Sequence, residues 1–399
     1  MAVVEVDFRA DNLGLDPLPD IDFNIRCGNT LVGYATEEEL AKDLTWGDIF
    51  ANQEFKEKVE TEMQLVATAY ETFKAVQFTQ SEDMATFKQA KRGLNERLAK
   101  LNELLNRRMH AATTSIPYKD WLITHQPFHW LAEFYQIIHD NGGFDVIIGN
   151  PPYVSIKSIK YLDNIKSNKC SDLYGLIIMR IFCLMNKSSR HGFIVMHNIA
   201  FSRNFKDVRK FIFSHSNSSW FSFYSRIPSG LFDGSVRVRN AVYFTSQSKG
   251  KVYTTRLHRW FAEQRSSLLQ CLKYNSVEIH DVIPMLNDSS LQAIYENGMG
   301  QTFLSKYGKV LYVKKTAYNC LSITATPAPT YDENEHLIDS DSSIMTVNND
   351  IWKEVNLLLC GKLMYTLWLT YGDDFHLMPS MVDNFMFPWN KVSHQDKLK

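Results

Sequence analysis

The stretch of this chain best equipped for chemistry is Phe144-Asp145-Val146-Ile147-Ile148-Gly149-Asn150-Pro151-Pro152-Tyr153. Asn150 brings a side-chain amide oxygen and Pro151 a backbone carbonyl, two acceptors on neighbouring residues. Tyr153 brings a flat aromatic face. These types at this spacing suit methylation of an exocyclic amine. The amino nitrogen of adenine or cytosine is a poor nucleophile, because its lone pair is delocalised into the ring. Two acceptors that take its two N–H bonds favour a more tetrahedral nitrogen and expose the lone pair. Pro152 restricts the backbone of Pro151 and so holds that carbonyl in place. A base swung out of its stack has a surface to lie on at Tyr153. Positioning and oriented dipoles suffice for such a reaction, which needs neither a metal nor a strong base.

The elements that must position these groups are legible around them. Val146 to Ile148 is a short β-branched run and reads as a buried strand. Prolines cannot continue a central strand, since they lack the N–H and their φ is fixed. The chain therefore leaves the sheet at Asn150 and lays a rigid loop across the strand's carboxyl end, where open α/β sheets build their sites.

Asn-Pro-Pro-Tyr after a hydrophobic strand resembles the catalytic motif of amino-methyltransferases that use S-adenosylmethionine. The longer phrase from Gly142 to Tyr153 is similar to the adenine-N6 DNA methyltransferase region of type II (type IIG-like) restriction–modification enzymes. The resemblance covers residues 15–48 and 116–275 well and the rest loosely. It implies Asn150, Pro151, Pro152 and Tyr153 as the catalytic residues, S-adenosylmethionine as methyl donor and double-stranded DNA as partner. It also implies that Asn29, in Gly28-Asn29-Thr30-Leu31, sits near the adenine ring of the cofactor, and that Asp172, in Asp172-Leu173-Tyr174, opens a helix beside the cofactor pocket. An aromatic residue on the opposite face of the extruded base would be Phe244, or else Phe232. Simpler readings stand beside these: a strand-ending turn at Gly28-Asn29, and core packing for both phenylalanines. Taken alone, the four letters also fit enzymes that methylate a protein glutamine.

The chain has 399 residues, 45% of them hydrophobic, which is enough for a sizeable core and two or three domains or subdomains. Its net charge of −1 does not announce a nucleic-acid partner, so any basic surface must be local. Cys27, Cys170, Cys183, Cys271, Cys320 and Cys360 are scattered without a CxxC pair and point to reduced thiols in a cytoplasm. Histidines show no metal-ligand spacing, and the apolar run near Leu176–Met185 is broken by Arg180 and too short to span a bilayer. Lys157, Lys160, Lys166 and Lys169, in a Ser/Asn-rich stretch beside the motif, are the candidates for DNA-backbone contact, with a solvated loop as the equal alternative.

The expected fold is α/β: a mixed sheet like that of S-adenosylmethionine-dependent methyltransferases, without its N-terminal strands. Residues 1–48 and 116–275 form the partial methyltransferase domain, 49–115 a helical insertion, and 276–399 a C-terminal α+β appendage resembling a partial target-recognition region. Phe23–Cys27 and Gly192–Met196 read as strands, Trp260–Tyr274 and Ile351–Thr370 as helices, and Ser81 as a helix cap. The insertion is predicted to be an antiparallel helical pair, either a packing or spacer module with a solvated charged face or a DNA-backbone contact through Lys88, Lys91, Arg92, Arg97, Lys100, Arg107 and Arg108. Pro19-Asp20 and Glu54-Phe55-Lys56 spell a nuclease pattern only superficially, since they fall in a turn and a helix. No G-x-G precedes Gly28, and Gly14 is the sole glycine before it. A cofactor-binding loop of the usual kind is therefore absent from this stretch, and the cofactor half is either missing or supplied by a second polypeptide. Two functions follow. One is a site-specific DNA adenine methyltransferase subunit or fragment of a restriction–modification system; the other is a non-catalytic DNA-binding or assembly subunit, or a decayed fragment of a larger enzyme.

Overall fold

The Glu/Lys/Ala/Leu-rich stretch predicted to be helical folds as two thirty-residue helices. In the computed structural model, which describes residues 8–9, 22–45, 48–78, 84–113, 116–159, 170–232, 238–286, 288, 292, 304–314, 316–317, 320–338, 342–373, 375–377 and 381, the chain divides into two units. The first comprises residues 1–144, 161–164 and 180–186, and the second 145–160, 165–179 and 187–399.

In the first unit, Thr36 caps the short helix Glu37–Asp43 (α1) by accepting the Glu39 N–H. The long pair, Ile49–Phe78 (α2) and Met84–Thr113 (α3), is antiparallel: Phe73 meets Phe87 near the turn, and Asn52 meets Arg108 at the far end. Leu94, Leu98, Leu101 and Leu105 are buried at helical spacing along α3. The basic residues of α3 are largely engaged by the unit's own carboxylates. Lys91 pairs with Asp22, Arg97 and Lys100 with the buried Glu62, Arg107 with Glu103 and Arg108 with Asp43. This favours the packing role over a DNA contact. Ser81 lies outside the described residues, as does Pro19-Asp20, and Glu54–Lys56 is helical.

Three shorter helices follow, Tyr118–His125 (α4), Trp130–Glu133 (α5) and Tyr135–His139 (α6). Trp130 and Phe134 each contact Phe144 edge-on, at 5.9 and 5.3 Å. Phe23–Cys27, predicted to be a strand, is turn and irregular structure among the described residues. A strand needs a ladder partner for its backbone groups, and Asn29 instead bridges Pro127 while its N–H donates to the Gln126 carbonyl at 2.8 Å. Gly33 permits this close approach: its φ is +139°, and a Cβ there would stand 2.0 Å from the Phe128 carbonyl oxygen. His129 clips the segment from both sides. Its Nδ1 accepts the Tyr34 N–H at 3.0 Å, which leaves Nε2–H to donate to Asn106 Oδ1, also at 3.0 Å.

All but Phe144, Met185 and Asn186 of a six-stranded mixed sheet belongs to the second unit: Phe144–Gly149 (β1), Met185–Met196 (β2), Ser218–Tyr224 (β3), Asn240–Ser246 (β4), Val252–His258 (β5) and Asn275–Val277 (β6), in the order β1-β2-β4-β3-β5-β6. β4 is antiparallel to β2 and β3, β5 is parallel to β3, and β6 is antiparallel to β5. Helices Leu173–Ile181 (α7) and Lys206–His215 (α8) accompany it. Val146–Ile148 is thus a strand, but at the sheet edge and not buried: Val146 is 61% and Ile148 77% exposed. An edge strand has a neighbour on one side only, and nothing among the described residues covers these side chains. Trp260–Tyr274 holds one helical turn, Arg265–Leu268, between two 3-10 turns. A separate three-stranded sheet, Leu304–Lys314, Ile323–Thr324 and Ser342–Val347, packs on helices Trp352–Cys360 and Lys362–Tyr371 around Leu311, Val347, Leu359 and Trp368. Gly361 splits what the sequence read as one helix. No described helix is long and apolar enough to cross a membrane.

His129, His191 and His258 are held neutral by burial, with pKa values lowered to about 3, 3 and 4. In the unfolded chain they titrate near pH 6.5. Stability is therefore fully present above about pH 6.5 and falls as pH drops through the window towards 3, by a few kcal/mol at most per histidine. Thermal melts at pH 7.5 and 5 should show a lower midpoint in acid, and His129→Gln should flatten the dependence. Equal midpoints for the native chain would contradict the assignment.

Candidate functional site

β1 runs the same way as β2. Gly143, just before it, abuts the backbone of Leu184–Asn186, and Gly149, at its end, abuts Phe193. The ends of β1, β2, β3 and β5 and the start of β4 therefore share one end of the sheet. The loop Asn150–Tyr153 lies there, with Asn150 and Pro152 exposed, Pro151 buried and Tyr153 half-buried.

The Tyr153 hydroxyl anchors this loop to the sheet. It lies 2.9 Å from Asn150 Oδ1 and 3.1 Å from the Ile194 carbonyl oxygen, both acceptors, and it accepts from Asn240 Nδ2 at 3.2 Å. Asn240 is the first residue of β4, opposite Met196, and is 1% exposed. Burial pushes the Tyr153 pKa up to about 12, with the Asn240 amide pulling the other way, so the hydroxyl keeps its proton at neutral pH. Past Tyr153 the chain is stitched down again. Leu173 N–H donates to the Val154 carbonyl at 2.8 Å, and Ile156 N–H to the Ser171 carbonyl at 3.0 Å. The Tyr153 ring meets Tyr174 edge-on at 6.2 Å; Tyr174 stacks on Phe205 and donates its hydroxyl to Asn198 Oδ1.

Two acceptors are left for a ligand. The Pro151 carbonyl takes no hydrogen bond from any described residue. Asn150 Oδ1 has a second lone pair beyond the one facing Tyr153.

The other sequence candidates scatter. Asn29 lies in the first unit, and its Oδ1 accepts the Leu31 N–H at 3.1 Å, the bond of a tight turn. Asp172 directly precedes α7, and its carboxylate accepts from the Ser171 hydroxyl at 2.7 Å. Phe244 is half-exposed over Gly192. It stands four residues along β4 from Asn240, roughly 13 Å at the rise of a strand, so the structure pairs it with Gly192 and not with the loop. Phe232 is half-buried beside residues 233–237, which are not described. Lys157 is exposed on the 3-10 turn Ile156–Ser158, while Lys160, Lys166 and Lys169 lie outside the described residues. Asn240 escaped the sequence reading, although an asparagine opening the β-branched and aromatic run Ala241–Thr245 is a residue of low strand propensity. No group of three or more His, Cys, Asp or Glu among the described residues could hold a metal ion.

Comparison with known proteins places this loop in a family context. Residues 38–226 match the model of the Eco57I restriction-modification methylase. Over 260 residues the chain is 23% identical to a putative type II restriction enzyme and methyltransferase of Methanocaldococcus jannaschii; the match takes in 54% of this chain and 22% of the relative, about a fifth of its length. Among solved structures, a DrdV–DNA complex overlaps 37% of this chain and 19% of its own, at 17% identity and a TM-score of 0.29. A nuclease-deletion mutant of the Type ISP restriction-modification enzyme LlaGI, in complex with a DNA substrate mimic, overlaps 58% and 26%, at 13% identity and a TM-score of 0.30. The Type IIL enzyme MmeI in complex with DNA overlaps 71% and 44%, at 13% identity and a TM-score of 0.26. Residues 38–226, which include the Asn150–Tyr153 loop, thus match the Eco57I restriction-modification methylase family.

Proposed function

We propose that this chain carries the base-binding half of a site-specific DNA adenine-N6 methyltransferase, with the methyl group drawn from S-adenosylmethionine. The observation that carries this reading is the pair of acceptors, Asn150 Oδ1 and the Pro151 carbonyl, at the end of β1 with the loop anchored through Tyr153. An adenine extruded from double-stranded DNA would donate its two amino N–H bonds to that pair. The nitrogen lone pair then points away from the ring plane and towards the incoming methyl group. Tyr153 would stack the base, fixed in height by its hydroxyl. Lys157 would meet the DNA backbone beside the loop.

Asn29 Oδ1 accepts the Leu31 N–H in a tight turn, and residues 1–27 hold no G-x-G. No step is therefore assigned to cofactor contacts of this chain. Val146 and Ile148, apolar and exposed on the edge strand that leads into the loop, support a second polypeptide docking there with the cofactor half. The same edge supports the rival reading, a non-catalytic assembly subunit, and one experiment separates the two.

Calorimetric titration of S-adenosylmethionine should show no binding by the chain alone and binding once a polypeptide carrying a G-x-G loop is added. In that assembly Asn150→Ala should keep cofactor binding and lower methyl transfer to DNA about a hundredfold or more. Binding without transfer in the native assembly would leave the assembly-subunit reading. Transfer that survives Asn150→Ala undiminished would refute the assigned acceptor.

A further inference from the structure

A side-chain amide can present either its oxygen or its nitrogen to a ligand, and the two differ by a half-turn. For Asn150 the difference is decisive. Its oxygen accepts from an amino group, whereas its NH2 would set donor against donor. An exposed asparagine in a loop has nothing intrinsic to choose between them. Here the choice is made by the Tyr153 hydroxyl, which lies 2.9 Å from Oδ1 and is a donor to it.

The hydroxyl's own proton must also be directed. It has one proton, two acceptors within reach (Asn150 Oδ1 and the Ile194 carbonyl), and one donor facing its lone pair, Asn240 Nδ2 at 3.2 Å. Because Asn240 occupies that lone pair with an N–H, the proton is confined to the side of the two acceptors. Asn240 itself is held by the β2–β4 ladder opposite Met196, and its amide also reaches towards the Val195 carbonyl at 3.5 Å. The relay therefore starts on a rigid strand and ends at an exposed loop side chain.

From this geometry we infer that Asn240 is a positioning residue: acting through the Tyr153 hydroxyl, it fixes the Asn150 amide with its oxygen towards the incoming amine. The role rests on the proposed methyltransferase function for its purpose but not for its existence. Asn240 touches neither base nor methyl donor in this arrangement. Asn150 Oδ1 has two lone pairs, so it can accept the amine on one while the Tyr153 hydroxyl donates to the other.

The test has two arms. In the first, the full chain is labelled with fluorotyrosine, whose lower intrinsic pKa brings the titration into a range where the protein stays folded. The Tyr153 19F resonance is assigned by its loss in Tyr153→Phe. Asn240→Leu removes the donor, and Asn240→Asp, of nearly the same shape, replaces it with an acceptor. The Tyr153 resonance should titrate higher in both, by about half a unit or more, while the other tyrosines stay put. An unmoved Tyr153 in folded variants, or a uniform shift of all tyrosines, would overturn the relay.

In the second arm, methyl transfer to DNA by the complete assembly should fall roughly three- to tenfold in Asn240→Leu, as expected for one hydrogen bond, through kcat and not KM. On a Tyr153→Phe background the same substitution should cost nothing further. Additive losses would overturn the inference. Should the native assembly transfer no methyl group at all, the functional proposal fails, and the 19F arm still decides the relay by itself.

Discussion

A hydroxyl carries one proton, and the one on Tyr153 faces two acceptors and one donor in a partly buried setting. That small constraint joins three pieces of chain distant in sequence. These are the loop after β1, the end of β2 at Ile194 and the start of β4 at Asn240. Without it, Asn150 would be a freely rotating amide on an exposed turn and Pro151 a carbonyl with no fixed companion. The two prolines stiffen the loop internally, but stiffness alone does not set its height above the sheet. The hydroxyl does, and the stitching of Val154 and Ile156 to residues 171–173 secures the other side. Burial keeps the phenol protonated, so the tie holds across the neutral range.

The first unit shows a different way of keeping polar groups buried. His129 is held neutral by burial, with the Arg180 charge adding to the effect, and both its nitrogens are committed, one to the Tyr34 N–H and one to Asn106. Glu62 is buried between two long helices because Arg97 and Lys100 reach it. The basic residues of α3 look like a DNA-binding stripe when read as letters. In space they serve mostly to neutralise the unit's own acids, and such pairs contribute modestly to stability.

How much of this could be read from the sequence depended on how local each feature is. The loop Asn150–Tyr153 is local: four consecutive residues after a β-branched run, and their types alone dictated the turn, the acceptors and the aromatic face. The helices α2 and α3 were legible for the same reason, since thirty residues of strong helix formers with leucines at helical spacing admit few alternatives. The edge position of β1 was not legible. Val146 and Ile148 have the composition of a buried strand, and only the sheet order reveals that one side lacks a neighbour. Asn240 was missed because its partner lies 87 residues away, and no short-range pattern encodes an antiparallel crossing. Phe244 has the residue type for base stacking, and its strand register, invisible in the sequence, sets it over Gly192. Phe23–Cys27 has the look of a strand, yet in the fold its neighbour at Asn29 pairs with Pro127 and the segment turns.

These contrasts leave the proposed chemistry concentrated in one short loop on an exposed sheet edge. The most direct test is to identify the modified base. DNA should be incubated with the chain, its cofactor-bearing partner and S-adenosylmethionine, then digested to nucleosides and analysed by mass spectrometry. The account expects N6-methyladenine, absent when Asn150→Ala replaces the native chain. N4-methylcytosine would keep the acceptor pair but contradict the base assigned to it. A digest without any methylated base, from an assembly that binds the cofactor, would contradict the catalytic account as a whole.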